Sequence, residues 1–213
     1  MAELFQPLDA FPGFGVLYDP TKNPYFRLIM VENLKRLQSV AVGKSLLSAI
    51  QNAKPASRKD FPLGINVICK PTAMMFTERG MNVIKTHQAD GTVTMDGMKI
   101  SPNPAHSPAG CPFWKAGGGS ANEAVDQTTA DNGSGTVCVM FFTNVEIMTS
   151  KGEKTDPYIV LAHELIHSLH CLEGTRAKTD EELWTTGIGT YASNPMSENA
   201  FRSAFGMPLR TKY

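Results

Sequence analysis

The chain lacks any apolar run near the roughly 18 residues that a helical membrane span needs. It also lacks the basic and then apolar segments of a cleaved leader, since it opens Met1-Ala2-Glu3-Leu4. Both absences predict a soluble protein that is not exported by a cleaved signal peptide. There is no excess charge of either sign: Lys plus Arg and Asp plus Glu are 20 each. That removes the electrostatic footprint of a nucleic-acid or anionic-membrane binder. No Cys-x-x-Cys pair occurs, which disfavours a structural zinc site. The widely spaced Cys69, Cys111, Cys138 and Cys171 read as free buried thiols, with a Cys111–Cys138 bridge as the alternative. No internal repeat is visible, and 213 residues suit a single catalytic domain over 1–213.

What is present divides along the chain. The first 24 residues, with Phe11-Pro12-Gly13-Phe14-Gly15, predict an irregular arm packed through its aromatics. An apolar stripe of Val31, Leu34, Leu37, Leu46, Leu47 and Ile50 predicts one helix over about 31–50. Within it Gly43-Lys44-Ser45 resembles the end of a phosphate loop, but Gln38 stands where the first glycine belongs and no strand precedes it, so an ordinary helix turn is the better reading. Ile65, Val67 and Cys69 alternate as in a strand, and Val83-Ile84 and Val93 with Met95 flank an Asp90-Gly91 turn. Residues 101–135 are dense in Pro, Gly, Ser, Asn and Asp and predict a long mobile loop, either a lid or a tether. Asn132-Gly133-Ser134 inside it reads as a turn rather than a glycosylation acceptor. The continuous run Val137-Cys138-Val139-Met140-Phe141-Phe142 predicts a strand covered on both faces, either central or over the helix that follows.

That helix carries the chemistry. Asp156 caps it, Pro157 fits its first turn, and Gly174 stops it. His163 and His167 are four residues apart, so both imidazoles leave one face and can bind one tetrahedral metal. Glu164 flanks that face and can take a proton from a metal-bound water and pass it to a leaving amine. His163-Glu164-Leu165-Ile166-His167 therefore predicts a zinc metallopeptidase, with the apolar Ile159-Val160-Leu161-Ala162 seating it in a core. His170, a turn further on, reads as supporting the site or packing beside it. A catalytic zinc needs a third protein ligand from downstream. Glu181 and Glu182 are placed for it if the chain turns back at Gly174, yet Thr179-Asp180-Glu181-Glu182 is equally a capping box opening a helix at Thr179. Another helix is expected over 197–205, closed by Gly206 and Pro208.

Four blocks in order resemble the NleD-type zinc metallopeptidases, bacterial effectors delivered into host cells. They are His163-Glu164-Leu165-Ile166-His167, Glu181-Glu182-Leu183-Trp184-Thr185-Thr186-Gly187, Glu198-Asn199-Ala200-Phe201-Arg202 and Pro208-Leu209-Arg210-Thr211-Lys212-Tyr213. The resemblance covers 159–213 only, and its second and fourth blocks are also similar to the light chains of clostridial neurotoxins. It implies an α+β zincin-like domain, a small mixed sheet with the His163–His167 helix beneath it. It implies Zn2+ held by His163, His167 and Glu182, with Glu181 supporting the ligands and Arg210 and Tyr213 donating to the oxyanion of the transition state. Without it, an Arg and a Tyr at the chain end read as surface residues. It further implies a monomer that works in the host cytosol and cuts a protein substrate such as a mitogen-activated protein kinase.

Overall fold

The computed structural model describes residues 3–58, 61–71, 84–87, 93–95, 98–100, 121–144, 147–148 and 154–212. The chain is α+β. Strands β1 (Leu4–Pro7) and β2 (Phe14–Tyr18) follow one another directly, and helices α1 (Phe26–Gln38) and α2 (Ala41–Asn52) lie between β2 and β3 (Val67–Pro71). Strands β4 (Ile84–His87), β5 (Val93–Met95) and β6 (Met98–Ile100) form a separate antiparallel sheet. Strands β7 (Ala121–Ala124) and β8 (Cys138–Phe142) complete the main sheet, and β9 (Ile147–Met148) pairs with β10 (Lys154–Thr155). Helices α3 (Pro157–Glu173), α4 (Glu181–Thr186) and α5 (Glu198–Ala204) follow.

The main sheet runs β1-β2-β3-β8-β7 and is mixed: β2-β3 and β3-β8 are parallel, β1-β2 and β7-β8 antiparallel. A parallel β2-β3 pair requires a long crossover, which α1 and α2 supply. Helix α3 packs against both of them and against β7 and β8, so it lies between a helical layer and the sheet. From Ile159 to Leu172 every residue except Glu164 is buried. Each aliphatic side chain there contributes about 1.5–3 kcal/mol by burial. An unpaired buried polar group costs about 1–3 kcal/mol. The helix can therefore carry three histidines into the interior only if each is given a partner.

The expected irregular arm is instead the β1-β2 hairpin, in register Leu4↔Tyr18 to Pro7↔Gly15. Pro7 is tolerated because β1 is an edge strand. Phe14, Val16 and Tyr18 point into the core with Leu8 and Phe11, so the aromatics pack as expected, but from a strand. The single helix over 31–50 is two. Ser39 caps α1, Val40 is extended, and α2 restarts at Ala41. The apolar stripe crosses the break because Leu34, Leu37, Leu46 and Ile50 all reach one core. Gly43 permits the tight corner: a Cβ there would lie 1.9 Å from the Leu37 carbonyl oxygen.

Strand β3 opens later than the alternation suggests. Asn66 is buried beside it and donates to the Ile50 and Ala53 carbonyls at 2.6 and 3.2 Å. Strand β8 alternates buried and half-buried residues rather than being covered on both faces, and lies between β3 and β7 against α3. Of the supposed loop, residues 101–120 lie outside the described residues, while 121–124 is β7 and 125–135 is built onto the end of α3. There Gly133 donates to the Gly174 carbonyl at 2.8 Å and Thr136 to that of Cys171 at 2.9 Å. The fit demands glycine: Gly135 and Gly174 have φ of +77 and +70, and a Cβ on Gly135 would lie 2.0 Å from the Leu172 carbonyl oxygen. Asp156 and Gly174 hold the expected positions at the ends of α3, although the Asp156 side chain makes no capping bond. Cys69, Cys138 and Cys171 are free and buried, so the Cys138 bridge is not formed; Cys111 lies outside the described residues.

Candidate metal centre

His163 and His167 leave α3 on one face with their rings nearly perpendicular, at 77°, and their Nε2 atoms 3.1 Å apart. After Gly174 the chain turns back and α4 sets Glu182 against them. Its Oε2 lies 3.2 Å from His163 Nε2 and 3.4 Å from His167 Nε2. Ligands about 2.0 Å from a tetrahedral zinc stand about 3.3 Å from one another. The three atoms thus form a triangle of the size one zinc ion spans.

The other ring nitrogens fix which atoms can face such an ion. His163 Nδ1 lies 2.9 Å from Glu198 Oε2, and His167 Nδ1 lies 2.9 Å from Glu181 Oε1. A carboxylate only accepts, so both Nδ1 atoms donate and both Nε2 atoms are left facing inward beside Glu182, where each offers a lone pair once its proton is removed. Three lone pairs that close repel unless a proton or a cation sits among them. Burial opposes charge on His163, but the Glu182 and Glu198 carboxylates outweigh it and lift the imidazole to about 10. His167 is raised in the same way by Glu181 and Glu182 against its burial. The carboxyls answer in kind: burial pushes them up, yet the histidines hold Glu181 and Glu182 well below the ordinary range and bring Glu198 to about 2. The pocket is an electrostatic well for positive charge.

Glu182 does not cap α4. The helix starts at Glu181, its preceding residue Asp180 is left-handed at φ 59, and no side-chain cap bond forms. The capping-box alternative is therefore absent, and both glutamates turn towards α3. Glu181 Oε1 also accepts from His170 Nδ1 at 2.7 Å, and its Oε2 from the Ala177 amide at 2.7 Å. Glu164, one residue beyond His163, is half-buried, and burial raises its carboxyl, offset in part by the two histidines.

Arg210 comes to the site through Glu198: its Nη1 donates at 2.9 Å to the same Oε2 that receives His163. Asn199 holds the Arg210 backbone on both sides, accepting from its amide at 2.7 Å and donating to its carbonyl at 2.9 Å. Tyr213 lies outside the described residues. Three participants carried no role in the sequence reading. Glu198 is 1% exposed, Arg202 is 1% exposed and donates to it at 2.6 Å, and Thr185 is fully buried beside His167 Nδ1 at 3.2 Å. A usable signal existed for the first two: a Glu–Arg pair at i, i+4, and the need of every metal-facing histidine for an acceptor behind it.

No family model and no curated protein matches the chain. Among solved structures it is similar to the botulinum neurotoxin type G light chain, at 14% identity and a TM-score of 0.46 over 91% of this chain and 55% of that one. The type D light chain gives 16% identity and a TM-score of 0.44 over 94% and 53%. The serotype HA light chain gives 17% and 0.40 over 76% and 38%. The chain spans about half, or less, of the length of these light chains.

Proposed function

We propose that this chain is a zinc-dependent endopeptidase of zincin-like build, and the triangle of His163 Nε2, His167 Nε2 and Glu182 Oε2 is the observation that supports it most directly. Two imidazoles and a carboxylate suit zinc, with the fourth position left for water. A bound zinc there would supply a water of lowered pKa and polarise the substrate carbonyl. Glu164, raised by burial towards working pH, takes the proton of the attacking water, holds it, and gives it to the leaving amine. Arg210, oriented by Glu198, donates to the oxyanion as the scissile carbonyl becomes tetrahedral. We assign Tyr213 the same task from its place in the terminal block.

The substrate is a protein, and the four residue blocks make a host signalling kinase the first one to try. The same blocks support an effector that acts as a monomer in the host cytosol. The test is a search for new N-termini in a host-cell lysate treated with the zinc-loaded protein, with Glu164→Ala as control. Cleavage by the intact protein alone, at a kinase activation loop, is the expected result. Cleavage elsewhere removes the kinase and keeps the peptidase, whereas a Glu164→Ala protein with every effect intact removes the peptidase.

A further inference from the structure

Helix α4 has no local reason to form. It is six residues long, its leading residue Asp180 is left-handed and makes no cap bond, and helices shorter than about 12 residues are marginal in water. Tertiary contacts must hold it, to the 3-10 turn and α5 on one side and to α3 on the other. Glu182 meets His163 and His167, Thr185 meets His167, Glu181 meets His167 and His170, and Trp184 stacks on His170 with ring centroids 3.7 Å apart and planes 12° from parallel. The Glu182 contacts lie on the metal face itself, where ligation would replace them once an ion is bound. His170 is different: it is 4% exposed and makes both its contacts away from the Nε2 triangle. Its Nδ1 donates at 2.7 Å to the oxygen of Glu181 that also receives His167. Its ring covers Trp184, whose other neighbour, Tyr191, stands 6.3 Å away in the 3-10 turn Gly189–Tyr191.

We infer that His170, with Trp184, is the positioning device of the metal centre, seating α4 on α3 so that Glu182 is delivered to the two imidazoles and Glu181 to the back of His167. This rests on the zinc reading above. The device works by pre-organisation: it holds the third ligand in place from a contact that does not change when the imidazoles lose their protons to the metal, and that shows in metal affinity before it shows in turnover. Residues behind metal ligands typically set affinity by about 10–100-fold.

The test is competition of the full chain with a chelator for zinc, together with the visible spectrum of the Co2+-loaded protein. His170→Ala should weaken zinc by about 10–100-fold and alter the Co2+ bands as the carboxylate is lost. His170→Asn keeps a donor towards Glu181 without the stack, and His170→Phe keeps the stack without the donor; each should recover part of the affinity. Trp184→Phe should bind almost as the parent does, and Trp184→Leu should not. Near-ultraviolet dichroism checks folding, and should His170→Ala not fold, the Asn and Phe variants decide. Folded variants that bind zinc within twofold of the parent, with unchanged Co2+ bands, overturn the inference alone. A parent chain that binds neither metal overturns the zinc reading and this inference together.

Discussion

Glu198 receives His163 on the same oxygen that receives Arg210, each at 2.9 Å, so the atom behind one metal-facing imidazole also anchors the arginine proposed to meet the oxyanion. One substitution should therefore strike metal retention and catalysis together. Glu198→Gln should lose about 10–100-fold in zinc affinity and lower kcat further when zinc is saturating. Chelator titration and kinetics at high zinc separate the two effects.

The same carboxylate faces a fully buried guanidinium. Arg202 reaches Glu198 at 2.6 Å, Thr155 at 2.6 Å and the Pro208 carbonyl at 3.2 Å. Removing the acid leaves that charge stranded, and breaking a buried pair costs about 3–5 kcal/mol. Urea denaturation of Glu198→Ala against the parent should show a loss of this size.

Acid should find the same point. Glu198 falls from an ordinary 4.5 to about 2 on folding, because the charges of His163, Arg210 and Arg202 outweigh its burial. A depressed carboxyl contributes stability that is complete above its unfolded value and is lost as pH falls through the folded one. The parent should therefore lose stability between pH 4.5 and about 2, and Glu198→Gln should show a shallower loss across that window. Urea midpoints measured from pH 6 downward check it.

Zinc binding should release protons at neutral pH. His163 is lifted to about 10 by its carboxylates, and an imidazole must give up its Nε2 proton to bind a metal. Calorimetry in two buffers of different ionisation enthalpy should report release of about one proton per zinc, and affinity should weaken as pH falls. An apparent enthalpy that does not change with buffer would contradict this.

Glu164 should matter to chemistry and little to binding. Glu164→Gln should retain zinc and lower kcat by about 10²–10⁴-fold, the usual share of a general base. Parallel measurement of metal content and peptide hydrolysis tests it.

The parts of the site legible in the sequence were the local ones. His163, Glu164 and His167 sit within five residues, where helix geometry alone decides direction. Spacing alone left Glu182 undecided, because a capping glutamate and a metal-binding one look alike there, and only the resemblance pointed to it as a ligand; the left-handed Asp180, which removes the cap, belongs to a turn that sequence patterns do not announce. Glu198 was hidden by distance, 35 residues from His163 and paired with it only once α5 is packed. In the fold, the β1-β2 hairpin was masked because aromatics, prolines and glycines also suit irregular chain. The break at Ser39 and Val40 was masked because the apolar stripe runs straight across it.

The burial of α3 from Ile159 to Leu172, with Glu164 as the single exception, has an evolutionary meaning. A surface helix can drift on its outer face while its inner face is conserved, but this helix has no outer face on which to drift. Were α3 to carry the proposed chemistry, variation in what the protein acts upon would have to be sought on other segments.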